Sequence, residues 1–588
     1  MRFKWRLKKY GNLLIVAALA AVFFVATSSF NYLTQDKNYT KWTSPDETAN
    51  YYFAKSYATT GRLAIFDPAS AIGGTVVMPR SVRNDFGWIK PVSFLGIILI
   101  YGTIASFFGV GIIPFLTPFF AALGLMVFYL LARRLFKGRV ALVATFLLAV
   151  FPVYIYYTVR SMFHNILFIV LLLAGAYLFS LALGQKKEKI KAGFLSLKPF
   201  CQRWPGYLAS FGSGLFVGLA VITRTSELLW LGPVFFLVWL FYARRFGWVK
   251  LVLFLAGLFL ALLPVAYYNQ ILYGSFLHGG YNEMNRSIDD ISKSSNQLLT
   301  NTLAGRFQQL GAYLKPIGQN IFYFGFNARQ SLSMFRHYVL DMFPLWVYAG
   351  GLGFFILVIQ NIRRFRRKYL VYVLVWSVLS VILIFYYGSW RFNDNPNPNS
   401  FTIGNSYTRY WLPIYLMLIP LAALAIVKVS RALLLITKKT QSRIRPLIAG
   451  GLQAAAIIVA AFLSLVFVLY GSEEGLAYLY YNNLAERTNT ERVFAYTQPA
   501  GIIITQYYDK FFWPERRIIM GTLPNAEILS GVKNLVKYYP VYYYNFYLNA
   551  ADVTYLNERK FTPYNLEMKL VKKINARFGL YELYAKNK

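Results

Sequence analysis

The chain has 588 residues, of which 57% are hydrophobic and 14% charged, with a single cysteine, Cys201, and a formal net charge of +38. So high an apolar share excludes an ordinary soluble enzyme, and one cysteine excludes an intramolecular disulfide or a cysteine-based metal cluster. The positive charge falls in short clusters between long apolar blocks, which argues for a membrane protein and against a nucleic-acid partner.

In chain order, the apolar blocks predict about eleven transmembrane helices, near residues 12–33, 112–132, 140–159, 162–183, 207–224, 227–243, 250–273, 339–361, 369–388, 410–431 and 449–470. Each is close to the ~20 residues that a hydrocarbon core requires. The first is read as an uncleaved anchor, because no small-residue cleavage site stands out. Basic clusters at 2–9, 133–139, 186–203, 244–250, 363–368 and 428–445 then mark one side as cytoplasmic. The N-terminus falls on that side. Opposite lie a first outer loop at 34–111, a second at 274–338, and a third at 389–408 containing the turn-rich NDNPNPNS. The apolar block 91–109 is long enough to cross, but crossing would invert every later basic loop. It is expected to lie along the membrane surface as a juxtamembrane helix.

Beyond residue 470 the hydropathy falls. Short β-rich runs, GIIITQYYDKFF, RRIIMG and PVYYYNFYL, alternate with a helix-like stretch over 525–536. The expected organisation is a membrane domain, 1–470, followed by a small extracytoplasmic α/β domain, 471–588. The overall class is a polytopic α-helical membrane protein.

Acids are scarce, so the adjacent Asp46 and Glu47 in SPDETANYYFAKSYATTGRL carry weight. One role open to Ser44 or Asp46 is capping the helix that follows. The other is that of a general base for an acceptor hydroxyl. Basic residues at expected outer helix ends form a second group: Lys90 in WIKPVSF, Arg160 in YTVRSMFHN, Arg224 in ITRTSELLW and Arg409 in SYTRYWLP. Singly, each could snorkel toward headgroups; together on one face they suit an anionic ligand. His164, His278 and His337 also fall on this side without ligand-like spacing, so no metal site is expected and no cofactor is implied. His164, near Arg160, suits a hydrogen bond to a phosphate or hydroxyl. Asn38 (NYT) and Asn285 (NRS) match the N-glycosylation pattern.

PDET followed by Tyr51, then KP at Lys90 and Pro91, resembles the first outer loop of the GT-C membrane glycosyltransferases, in the branch of protein O-mannosyltransferases and aminoarabinose transferases. FYLLARRLFKGRVALVATFLLAVFPVYIYYTVRSMFHN, GLFVGLAVITRTSELLW and SYTRYWLPIYLMLIP are similar to later segments of that family. The resemblance implies transfer of a sugar from a polyprenyl-phosphate-linked donor to a hydroxyl on a protein, lipid or glycan at the outer face of the cell membrane. It implies Asp46 as the base, beside Glu47, and Lys90 as a contact to the lipid phosphate, for which Arg160, His164, Arg224 and Arg409 are further candidates. Two positions depart from the family. Ile89 stands where some members carry a metal-binding Glu, and His164 and Asn165 stand where others carry an acid. A transporter or lipid-linked glycan flippase is the chief alternative, although it would place ionisable residues at mid-membrane and show repeats. An oligosaccharyltransferase is the second, without the WW dipeptide of that family's C-terminal motif.

Overall fold

The structure is a computed structural model that describes residues 2–35, 39–184, 198–280, 325–390, 392, 402–436, 445–471 and 474–586. The sequons at Asn38 and Asn285, the NDNPNPNS turn, most of the second outer loop and much of the basic loops at 186–203 and 428–445 lie outside the described residues.

Helix α1 spans Arg2–Thr34, and α2, Pro45–Thr60, opens the first loop. The loop continues through β1 (Ile65–Phe66), the short α3 (Pro68–Ile72), β2 (Val82–Asp85), β3 (Trp88–Pro91) and α4 (Leu95–Phe108). The bundle is completed by α5 (Ile113–Leu135), α6 (Gly138–Ala149), α7 (Pro152–Val159), α8 (His164–Gly184), α9 (Lys198–Thr223), α10 (Leu228–Phe246) and α11 (Trp248–Tyr273). Then come α12 (Ala328–Phe335), α13 (Pro344–Arg363), α14 (Arg367–Gly388), α15 (Ser406–Tyr410), α16 (Leu412–Ile436) and α17 (Arg445–Tyr470).

Among the described residues, ten helices are long and apolar enough to cross a membrane, or eleven if α6 and α7, bent by 52°, form one broken span. All eleven expected blocks correspond to these. Pro152, at the first position of α7, cannot continue the α6 hydrogen-bond ladder, which accounts for the bend. Helix α4 has 14 residues, ~21 Å at 1.5 Å per residue, too short for a core ~30 Å thick. It packs on α2 and against the C-terminal end of α9, where Gly96 meets the backbone of Ile222 and Thr223. That placement agrees with a juxtamembrane helix.

Helices approach closely where glycine removes the side chain. Gly214 and Gly218, four residues apart on α9, face the backbone of α11 at Phe254 and Leu258, and Gly353 of α13 faces Leu421 of α16. Small residues at such spacing let spans pack without a hydrophobic driving force from lipid.

After α17 come α18 (Leu476–Ala495), β4 (Ile502–Thr505), α19 (Asp509–Phe512), β5 (Arg517–Met520), α20 (Ala526–Leu535), β6 (Val541–Phe546), α21 (Ala550–Tyr555), β7 (Leu566–Lys573) and β8 (Phe578–Ala585). The five strands form one sheet in the order β5-β4-β6-β8-β7, parallel at β5-β4-β6 and antiparallel beyond. The three β-rich runs are β4, β5 and β6, and the helix-like stretch is α20. The small sheet β1-β3-β2 inside the first loop had no sequence signal, because its strands are only two to four residues long. The first loop docks on the C-terminal sheet: Ala69 and Val77 share a core with Ile502, Ile519 and Leu535.

Candidate functional site

Ser44, Pro45, Asp46 and Glu47 begin α2. Pro45 suits the first helical position, and two acids in the first turn complement the positive end of the helix dipole. Ser44 occupies the N-cap position, but its side chain makes no capping bond. Asp46 is half-buried, and its Oδ1 accepts a hydrogen bond from the Ser81 hydroxyl. The capping role open to Ser44 or Asp46 is therefore not the one their side chains take.

Glu47 is fully buried, with Oε2 accepting from Arg160 Nη2 at 2.6 Å and Nε at 2.8 Å. Burial pushes its carboxyl above the ordinary range, against the pull of the Arg160 guanidinium. Its Oε1 is buried with no hydrogen-bond partner among the described residues. Asn50, one turn on, donates to the Met162 carbonyl at 2.9 Å, so α2 grips the α7–α8 turn at two points.

From Arg160 a ladder of cations and rings runs across the site. Arg160 and Arg409 lie over the Phe163 ring at 4.9 and 4.7 Å, and Arg409 and Arg224 lie over Tyr410 at 5.0 and 4.6 Å. The ring faces offset part of the repulsion among three guanidiniums. Arg224 pairs with the buried Glu227 at 2.7 Å, and Arg409 donates to the Ser406 hydroxyl at 2.7 Å. His164 Nε2 lies 3.1 Å from Ser93 Oγ and 3.2 Å from the Phe94 carbonyl, and Asn165 donates to the Arg409 carbonyl at 3.0 Å. The imidazole thus ties the segment after Lys90 to the start of α8. Lys90, cross-strand partner of Arg83, directs its ammonium to Asp85 at 3.1 Å and the Leu272 carbonyl at 2.8 Å.

Glu47, next to Asp46 in the chain, thus contacts Arg160 directly, and the Phe163 and Tyr410 rings connect Arg160 to Arg409 and Arg224. Lys90 lies three residues before Ser93, which contacts His164, and its own ammonium is directed to Asp85 and Leu272. Lys90, Arg160 and Arg224 also each hold a carboxylate, Asp85, Glu47 and Glu227, that local sequence did not assign to them. Among the described residues, no three His, Cys, Asp or Glu side chains gather as a metal-ligand group.

Several residues at the site gave no sequence signal. Arg80, just before Ser81, donates from its backbone N–H and its guanidinium to Asp509 of α19, at 3.0 and 2.6 Å. Lys41 pairs with Glu515, and Thr48 donates to the Lys510 carbonyl at 3.3 Å. Tyr156 hydrogen-bonds Arg160 at 3.1 Å and lies 3.5 Å from Glu474. The Arg80–Asp509 pair spans 429 residues, and no local spacing encodes it. A cavity of about 720 Å³ opens along the face of α2 that carries Thr48, Tyr51, Tyr52 and Lys55. At 100° per residue this is the face turned away from Asp46.

No family model and no curated protein sequence matches the chain. Solved structures do match its fold. ArnT from Cupriavidus metallidurans, in the apo state, is 12% identical with a TM-score of 0.53, covering 98% of both chains. The same protein bound to undecaprenyl phosphate matches over 97% of this chain and 98% of its own, with a TM-score of 0.53. The Archaeoglobus fulgidus oligosaccharyltransferase is 14% identical with a TM-score of 0.53, over 92% of this chain and 70% of its own. The archaeal oligosaccharyltransferase AglB, in complex with an inhibitory peptide and a dolichol-phosphate, gives 0.52 at 13% identity, over 92% and 70%. The chain shares the fold of these solved structures, a polytopic helical membrane domain with a small sheet domain after it, as expected from the sequence.

Proposed function

We propose that the chain is a membrane glycosyltransferase that moves a sugar from a polyprenyl-phosphate-linked donor to a hydroxyl acceptor. The site faces the extracytoplasmic side, opposite the basic loops, with the N-terminus in the cytoplasm and the C-terminal sheet outside. The observation that carries this reading is the arrangement of Asp46 beside the buried Glu47–Arg160 pair, from which Arg409 and Arg224 extend.

In the proposed reaction the acceptor oxygen attacks the anomeric carbon and its proton passes to the Asp46 carboxylate. The new C–O bond forms as the bond from the anomeric carbon to the phosphate oxygen breaks. The electron pair leaves on the phosphate, which Arg160, Arg224 and Arg409 stabilise, with Lys90 and His164 at the edge of the group. The departing phosphate is already an anion and needs no general acid, so one carboxylate suffices where glycosidases use two. A single displacement inverts the anomeric centre.

ArnT matches this chain over nearly the whole of both, whereas the Archaeoglobus enzyme matches over 70% of its own length. That favours a chain organised as ArnT is over one with the greater length of the oligosaccharyltransferase. Purified protein given a panel of undecaprenyl-phosphate-linked monosaccharides, together with a detergent extract of cell-envelope proteins, lipids and glycans as the source of acceptor, should release undecaprenyl phosphate. Asp46→Asn should lower that turnover ~100-fold or more, the scale of general-base loss, with undecaprenyl phosphate binding retained. Near wild-type turnover by Asp46→Asn would overturn the assignment of the base. Solute accumulation in proteoliposomes without phosphate release would identify a transporter instead.

A further inference from the structure

Ser81 is one of three non-glycine residues with positive φ among the described residues, at φ 62°. For an L-residue other than Asn or Asp this left-handed conformation is strained, because Cβ crowds the following carbonyl oxygen. Such conformations persist only where the surroundings over-determine them, and they cluster at functional sites. Two contacts hold this one. On one side, the Ser81 hydroxyl donates to Asp46. On the other, Arg80 is fixed by Asp509, a fully buried carboxylate that takes the Arg80 backbone N–H at 3.0 Å and its guanidinium at 2.6 and 3.1 Å. Arg80 Nη2 also donates to the Tyr507 carbonyl at 3.1 Å. Asp509 begins α19, which touches α2 again through Thr48 and the Lys510 carbonyl.

We propose that Asp509, through Arg80 and Ser81, positions the Asp46 carboxylate, so that the C-terminal domain is a working part of the transfer site. The inference rests on the reading of Asp46 as the base. Asp509 and Arg80 act through Ser81 and are positioning residues. A serine hydroxyl donating to one oxygen of Asp46 fixes the rotamer of the carboxylate and leaves the other oxygen for the acceptor proton. Geometry held in this way matters, because small misplacements of a reacting group cost large factors in rate.

The left-handed backbone supplies a clean test. Glycine accepts φ 62° without strain, so Ser81→Gly removes the hydroxyl while relieving the backbone. The expected result is a melting temperature equal to or above wild type, with kcat reduced about tenfold, the scale of one charge-assisted hydrogen bond. The KM for the lipid-linked donor and the affinity for undecaprenyl phosphate should stay within about twofold, since neither contact faces the arginine ladder. Asp509→Asn keeps an acceptor for the Arg80 N–H but loses the charge, and should show the same split with a smaller loss than Asp509→Ala. Wild-type kcat in Ser81→Gly, with Asp46→Asn inactive, would overturn the positioning role alone. An active Asp46→Asn would overturn the proposed base and this inference together. A fall in kcat that only tracks a fall in melting temperature across the three variants would reduce the contacts to structural ones.

Discussion

Glu47 and Arg160, 113 residues apart in the chain, meet in two charge-assisted hydrogen bonds of 2.6 and 2.8 Å, with the Glu47 side chain wholly buried. Removing one partner of a buried pair strands the other charge and costs about 3–5 kcal/mol, whereas replacing both can be nearly neutral. Glu47→Leu should therefore lower the melting temperature in detergent sharply, and Glu47→Leu with Arg160→Met should recover most of it. Sugar transfer should remain lost in the double variant, because the recovered fold lacks the Arg160 charge. Arg160→Lys should fail as well, since an ammonium cannot reproduce the fork.

Lys510 follows Asp509 and lies near the same group of charges. Burial pushes its ammonium down to about 8, helped by Arg80 and Arg160 and opposed by Asp509 and Glu486. The charged form is disfavoured in the folded state, so the penalty is full below pH 8 and is relieved as pH rises toward the ordinary value of 10.5. Lys510→Met should thus melt higher than wild type at pH 7, and the difference should close between pH 8 and 10. A constant difference across that range would exclude titration of Lys510 as its source.

Gly353 packs α13 against α16 so closely that a Cβ would sit 1.8 Å from the Leu421 carbonyl oxygen. The obstacle is backbone, so the helices must part. Gly353→Ala should destabilise by about 1–3 kcal/mol or more, as overpacking does. Gly351 has nothing within 4 Å of a Cβ, and Gly351→Ala should melt like wild type. The pair of melting curves makes the comparison internal to one helix.

The orientation of the bundle can be read by labelling. With Cys201 replaced by serine, single cysteines at 190 and 365 should resist an impermeant thiol reagent applied from outside. One at Tyr538, which is exposed on the sheet domain, should react. Labelling of both 190 and 365 from outside would reverse the topology.

The spans were legible because hydropathy is a local property: any block of ~20 apolar residues must cross or be buried, whatever its neighbours. The charge clusters between the blocks also set apart the 91–109 segment, which holds the short helix α4. Local β-propensity carried β4, β5 and β6. Asp46, Glu47, Arg160, Arg224 and Arg409 stood out because charged residues near apolar spans are costly and few. What local sequence could not supply were the pairs formed across long stretches of chain. Glu47 finds Arg160, and Asp509 finds Arg80, across hundreds of residues in one case. Lys90 turns to Asp85 and a helix-end carbonyl rather than pointing freely to a ligand. The hydroxyl on Asp46 belongs to Ser81, whose left-handed backbone leaves no trace in residue type. Burial and charge density are summed along the chain and survive in composition, whereas ion pairs and hydrogen bonds depend on angstrom-scale distances between segments that only tertiary packing brings together.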